Sequence, residues 1–167
     1  ILFDQRGCGR SVAKQPLHHN TTAHLIDDIE RLREHLQIER WLVVGGSWGA
    51  GLGLAYASAH PTRCTGAVIR GVFLSRPADL HWFFEAAQQC MPDAWAAFAR
   101  QVQPEGSPLS SHVCHRVLHG SDDDALNLAR AWQAWENALT TRSFSNPPPD
   151  TLSPAQAQAL LSKYRLQ

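Results

Sequence analysis

The sequence predicts an α/β protein: a small parallel sheet with flanking helices over residues 1–76, followed by an all-helical module over residues 77–167. Three observations carry this. Short apolar runs alternate with helical patterns up to Ile69, a glycine-rich turn joins an apolar run to a helix of small residues, and strand patterns stop after about Arg76.

The elements follow in order. Residues 1–3 read as a strand, and the turn Asp4-Gln5-Arg6-Gly7-Cys8-Gly9-Arg10-Ser11 has two glycines that permit positive φ. After a loop, Asn20 or Thr21 is placed to cap a helix reaching about Gln37. Leu25, Ile29, Leu32 and Leu36 recur there at helical spacing, while Asp27 and Arg31 are expected to pair on a solvated face. The continuous apolar run at 41–44 suits a strand covered on both sides. Residues 48–60 read as a helix closed by Pro61, and residues 67–69 as a third strand. A βαβαβ order of this kind implies a parallel sheet sandwiched by helices. Beyond it, residues 79–102, 122–141 and 154–164 read as helices, joined by loops at 104–108 and 146–149. The three prolines at 147–149 read as a stiff connector.

Composition excludes several classes of function. A chain of 167 residues that is 44% hydrophobic and 18% charged is too apolar for disorder, and it has no run long enough for a bilayer span. Fifteen basic residues balance fifteen acidic ones without a Lys/Arg cluster, which argues against nucleic acid as a partner. Cys8, Cys64, Cys90 and Cys114 are far apart and have no metal-ligand spacing to histidine. They read as free thiols of a reducing, cytoplasmic compartment, with no metal or organic cofactor implied. The chain opens on Ile1 and closes inside a helical pattern, so a central piece of a longer protein is expected.

The chemistry concentrates at Gly45-Gly46-Ser47-Trp48-Gly49. A serine in Gly-x-Ser-x-Gly between a strand and a helix is a nucleophile elbow, in which Gly45, Gly46 and Gly49 are expected where side chains would collide. The backbone N–H of Trp48 then lies at a helix N-terminus, placed to hold an oxyanion, and acyl transfer is the matching chemistry. An incidental serine in a glycine turn is the bland alternative. Nucleotide binding fits badly: there is no Gly-Lys-Ser/Thr, the glycines at 45, 46, 49 and 51 do not give GxGxxG, and no acidic residue ends the next strand.

Together with Asn20-Thr21-Thr22, Arg70-Gly71-Val72-Phe73, Asp79-Leu80-His81-Trp82-Phe83 and Ala131-Trp132-Gln133-Ala134-Trp135-Glu136, the DQRGCGRS turn and the GGSWG elbow resemble the prolyl aminopeptidases. These are serine peptidases of the α/β-hydrolase fold, and the resemblance runs from Ile1 to about Thr141. It implies a partial α/β-hydrolase core followed by a helical cap, with Ser47 attacking the first carbonyl of a peptide that begins with proline. It also implies that Glu136, on the cap, binds the free α-amino group, and that Phe73 lines the proline pocket, for which packing in the core is the equal alternative. Phe84 falls where the family often has tyrosine and is the weaker pocket residue. The residues themselves place Glu136 at the edge of an apolar stripe of Leu128, Trp132, Trp135 and Leu139, although on spacing alone an exposed glutamate is the more ordinary reading, which the resemblance reverses. Asp4 and Arg6 are expected to brace their turn, and Trp82 and Trp95 to fill the cap core.

A serine nucleophile needs a histidine base and an acid, which in this fold follow on loops after later strands. His81, His112, His115 and His119 follow Ser47, with Asp79 or Asp93 ahead of some of them, but all fall in the helical module. The family's His-Gly-Gly-Pro loop, the second oxyanion donor, has no counterpart here. The expectation is a piece that carries nucleophile and cap and is inactive alone. Other readings are a different capped hydrolase such as an esterase, or a truncated, non-catalytic interaction module. An epoxide hydrolase would place aspartate at position 47.

Overall fold

The computed structural model describes residues 1–11, 15, 17–102, 108–143 and 152–166. They fall into two compact units, Ile1–Leu74 with Leu166, and Ser75–Arg165.

In the first unit, α1 (Thr22–His35) leads to β1 (Trp41–Gly46), α2 (Trp48–Ala59), a 3-10 turn and β2 (Cys64–Arg70). Thr21 is the N-cap of α1, with the His24 ring nitrogen 2.8 Å from its hydroxyl. The two strands pair in parallel, Val44 opposite Val68 and Gly46 opposite Arg70, and α2 is the crossover that parallel pairing requires. α2 packs on both strands and α1 packs on α2. Leu25, Ile29, Leu52 and Tyr56 bury against Trp41, Val43 and Trp48.

Strand periodicity then decides what stays open. Val43 points to the helices, so Leu42 and Val44 face the other way and are 55% and 71% exposed, as is Val68 at 55%. The expected two-sided cover is therefore not found among the described residues, because both helices pack on the same side. Residues 1–3 form no strand either. They join no ladder, and a cavity of about 360 Å³ lined by Ile1, Phe3, Val43, Trp48 and Leu52 separates them from β1. Asp27 and Arg31 are exposed and form no ion pair among the described residues. The acidic residue of this turn that is used is Asp28, which binds Arg6.

The second unit is helical: α3 (Pro77–Phe84), a 3-10 turn at Ala86–Gln89, α4 (Pro92–Val102), α5 (Leu109–His119), α6 (Asp122–Thr141) and α7 (Pro154–Arg165). The single helix expected over 79–102 is broken, because Pro92 has no N–H to continue a helix and instead opens a new one. α5 was not foreseen, yet Leu109, Val113 and Val117 recur at helical spacing and are its buried face. The Glu85 carboxylate in the break accepts the Leu109 N–H at 2.8 Å, capping that helix from a distance. Ser121 caps α6 by accepting from the Asp124 N–H, and three aspartates in the first turn suit the helix dipole. Phe84, Phe98, Leu128, Trp135, Leu160 and Tyr164 belong to the core. Trp95 packs on it and donates to the Phe84 carbonyl, but Trp82, expected inside, is 52% exposed. The loops expected at 104–108 and 146–149 lie outside the described residues, apart from Pro108. No described helix is long and apolar enough to cross a membrane.

Candidate active site

β1 ends at Gly46 and α2 begins at Trp48, which leaves Ser47 alone at the corner with φ 55° and ψ −126°. That backbone region is unfavourable for any residue with a Cβ, and it persists because the turn is held from both sides. The Ser47 N–H donates to the Arg70 carbonyl at 3.1 Å, and the Ser47 carbonyl accepts from Ala50 N–H at 2.8 Å. The side chain is exposed. The glycines divide by role. A Cβ at Gly45 would lie 2.1 Å from the Gly49 carbonyl oxygen, so only glycine fits. At Gly46 it would meet only the movable Arg70 side chain, at 3.3 Å, and at Gly49 it would meet nothing within 4 Å. The expectation that all three prevent a collision thus holds strictly for Gly45 and fails for Gly49.

Trp48 contributes twice. Its backbone N–H is among the first of α2 and so has no intrahelical acceptor, while its indole donates to Gln5 Oε1 at 3.1 Å. This ties the 4–11 turn to the elbow. Within that turn Arg6 forms a bidentate pair with Asp28 at 2.6 and 2.5 Å, and Asp4 accepts from Arg10 N–H at 3.0 Å. Sequence reasoning missed Gln5, although it lies inside the quoted turn motif. Phe73 follows β2 in the same unit, and its carbonyl oxygen lies against Gly51.

Behind the elbow a buried polar network fixes β1 and α2. Arg33, 5% exposed, binds the Glu30 carboxylate and donates to the Ile38 carbonyl. Tyr56 donates to Glu30 at 2.8 Å and accepts from the Trp41 indole at 3.1 Å. The bond from Arg33, with Tyr56 adding to it, holds the Glu30 carboxyl down at about 2. Burial, with Glu30 beside it, pushes the Tyr56 hydroxyl up to about 12.

The second unit holds Glu136, Phe84 and the four histidines. The Glu136 side chain is 27% exposed, and its Oε2 accepts from Lys163 Nζ at 3.0 Å and from the Tyr164 hydroxyl at 2.8 Å. Of the two readings left open by spacing, an exposed glutamate is therefore not what is observed. Burial, with Glu136 adjacent, pushes the Tyr164 hydroxyl well above its usual range. The Trp132 ring is 4.9 Å from that of Tyr164, and its buried Nε1 finds no acceptor among the described residues. Lys163 and Tyr164 could not be found from sequence, since 27 and 28 residues separate them from Glu136. Phe84 is 2% exposed and packs against Phe83, Phe98 and Trp132, so its ring serves the helical core. His81 is on α3, and His112, His115 and His119 are on α5. No described group of three His, Cys, Asp or Glu residues could hold a metal ion.

The chain belongs to the alpha/beta hydrolase fold family, which it matches over residues 1–144, and the strained Ser47 corner between β1 and α2 lies within that match. The curated relatives narrow the likeness. The chain is 43% identical over 149 residues to a probable proline iminopeptidase of Leptolyngbya boryana, covering 88% of this chain and 46% of that protein. It is 49% identical over 140 residues to a proline iminopeptidase of Arabidopsis thaliana, with 81% and 37% covered. For that of Neisseria gonorrhoeae the identity is 42% over 142 residues, with 83% and 46% covered. The resemblance read from the motifs is thus to the same group of proteins, and the chain spans less than half the length of these relatives.

Proposed function

We propose that this chain carries the nucleophile and the amine-recognition part of a prolyl aminopeptidase, a serine peptidase that releases N-terminal proline from peptides. The observation that carries the proposal is the strained Ser47 corner, in a chain whose curated relatives bear the name proline iminopeptidase. Ser47 Oγ attacks the carbonyl carbon of the first residue, and the carbonyl oxygen, becoming negative, receives the Trp48 N–H at the start of α2. Glu136 accepts from the prolyl ammonium, and Phe73 packs on the pyrrolidine ring. Phe84 supports the core of the helical module. The histidine base, its acid and a second oxyanion donor are assigned to parts of the whole protein beyond these 167 residues. Serine acyl transfer of this type uses no metal or organic cofactor. A cytoplasmic location belongs to the same proposal and is supported by four free cysteines spread over both units.

The test uses the complete protein with a chromogenic prolyl amide and its N-acetylated counterpart. The free-amine substrate is expected to be cleaved and the acetylated one to be nearly inert. Equal rates on the two would remove the aminopeptidase reading.

A further inference from the structure

The ammonium of Lys163 is already where the proposed substrate's ammonium has to go. It lies 3.0 Å from Glu136 Oε2, 3.0 Å from the Tyr164 hydroxyl oxygen and 4.4 Å from the centre of the Tyr164 ring. A carboxylate, a hydroxyl and an aromatic face around one cation are the groups that recognise a free amine. Tyr164 is 3% exposed and fixed in the core, so it orients the carboxylate through its 2.8 Å bond. The Lys163 side chain is 40% exposed. A depression of about 320 Å³, lined by Gln133, Leu152, Gln156, Ala159, Leu160 and Lys163 itself, opens beside it and gives the chain somewhere to move. Both residues are on α7, which begins at Pro154, beyond residue 144 where the family match ends.

We infer that Glu136 and Tyr164 form an amine subsite that Lys163 occupies as an internal ligand, so that a substrate's α-ammonium binds by displacing it. The inference rests on the reading of Glu136 as the amine-binding residue. Occupation by an internal cation lowers apparent affinity in proportion to the fraction of time the subsite is filled. Tyr164 remains after displacement and keeps the carboxylate aimed, so it is a positioning residue of this subsite.

The experiment titrates prolinamide into the 167-residue chain and follows tryptophan fluorescence, to which Trp132 beside Tyr164 contributes. Lys163→Met keeps the aliphatic stem and removes the charge, and Lys163→Gln is measured beside it as a polar replacement at the same exposed tip. Each is expected to bind prolinamide about tenfold or more tightly than the unmodified chain, as when a subsite filled nine-tenths of the time is vacated. Lys163→Arg, which keeps a cation, is expected to stay weak. Adding Glu136→Gln to Lys163→Met is expected to abolish the gain. Equal affinity with and without the Lys163 charge, while Glu136→Gln still weakens binding, overturns the internal-ligand inference and leaves Glu136 as the amine site. Binding that ignores Glu136→Gln, or no binding to the Lys163 variants, overturns the reading of Glu136 itself and the inference with it.

Discussion

At Gly45 the position of one missing methyl group decides whether the elbow exists, because the nearest obstacle is backbone, the Gly49 carbonyl, and cannot swing aside. Gly45→Ala is expected to destabilise the chain by about 3 kcal/mol or more, whereas Gly49→Ala, facing open space, should stay within about 0.5 kcal/mol. Urea unfolding of the two variants checks both, and equal costs would contradict the geometry. The motif was legible in the sequence as Gly-x-Ser-x-Gly, but a string cannot say which glycine meets backbone and which meets solvent. Glu136 shows the same limit. Its place beside tryptophans could be read, but its bonds to Lys163 and Tyr164 arise from packing α6 against α7, which no local spacing encodes. In the complete protein, Glu136→Gln is expected to cost about 2 to 5 kcal/mol in kcat/KM, the usual penalty for leaving a charged partner uncompensated. Unchanged kinetics would take Glu136 out of the site.

Helices and strands were legible where a single periodicity ran uninterrupted. α1, α2, α6 and α7 follow their sequence patterns, and β1 and β2 were both visible as apolar runs. The failures have physical causes. Pro92 divided an apparently continuous helix, and the polar, histidine-rich surface of α5 hid its three-residue buried stripe. The apolar triplet at 1–3 has the composition of a strand but joins no ladder among the described residues. The Glu85–Leu109 bond bridges the break, and Glu85→Ala is expected to cost about 2 kcal/mol, as for a hydrogen bond to a charged group, and to unfold α5 first in hydrogen exchange. In the first unit the network holding α1, β1 and α2 gives a pH signature. The Glu30 carboxyl lies at about 2 in the folded chain against 4.5 when free, chiefly through its bond from Arg33. A depressed carboxylate contributes stability that is complete above the free value and lost as pH falls through the folded one. Acidification from 4.5 towards 2 is therefore expected to lower the stability of the first unit, and Glu30→Gln should flatten that part of the profile. A profile as steep in Glu30→Gln as in the unmodified chain would exclude this network as the source.

At the scale of the whole molecule, the α/β class was legible because strand patterns are confined to the first part of the chain and only helical ones follow. The exposed sheet face was not, since a continuous apolar run looks the same whether one or both faces are covered. Leu42, Val44 and Val68 lie open there, and among the described residues the sheet has two strands, whose outer edges are available for pairing. The 167-residue chain is expected to self-associate with rising concentration, and light scattering that shows a monomer throughout would contradict this. It is also expected to show no measurable turnover, because a serine without its base loses about a million-fold in kcat. Robust activity that disappears in Ser47→Ala would assign the base to His81, His112, His115 or His119. Ser47 as the nucleophile and Glu136 as the reader of a free N-terminal amine are the two roles at the centre of the proposed function. Its most direct test exposes the complete protein to the diphenyl phosphonate analogue of proline, which bonds a serine Oγ to phosphorus as phenoxide leaves. Mass spectrometry of the digested protein is expected to find the adduct on the peptide containing Ser47, formed much more slowly in Glu136→Gln and with the N-acetylated reagent. An adduct on another residue, or equal rates for the free and acetylated reagents, would contradict the account.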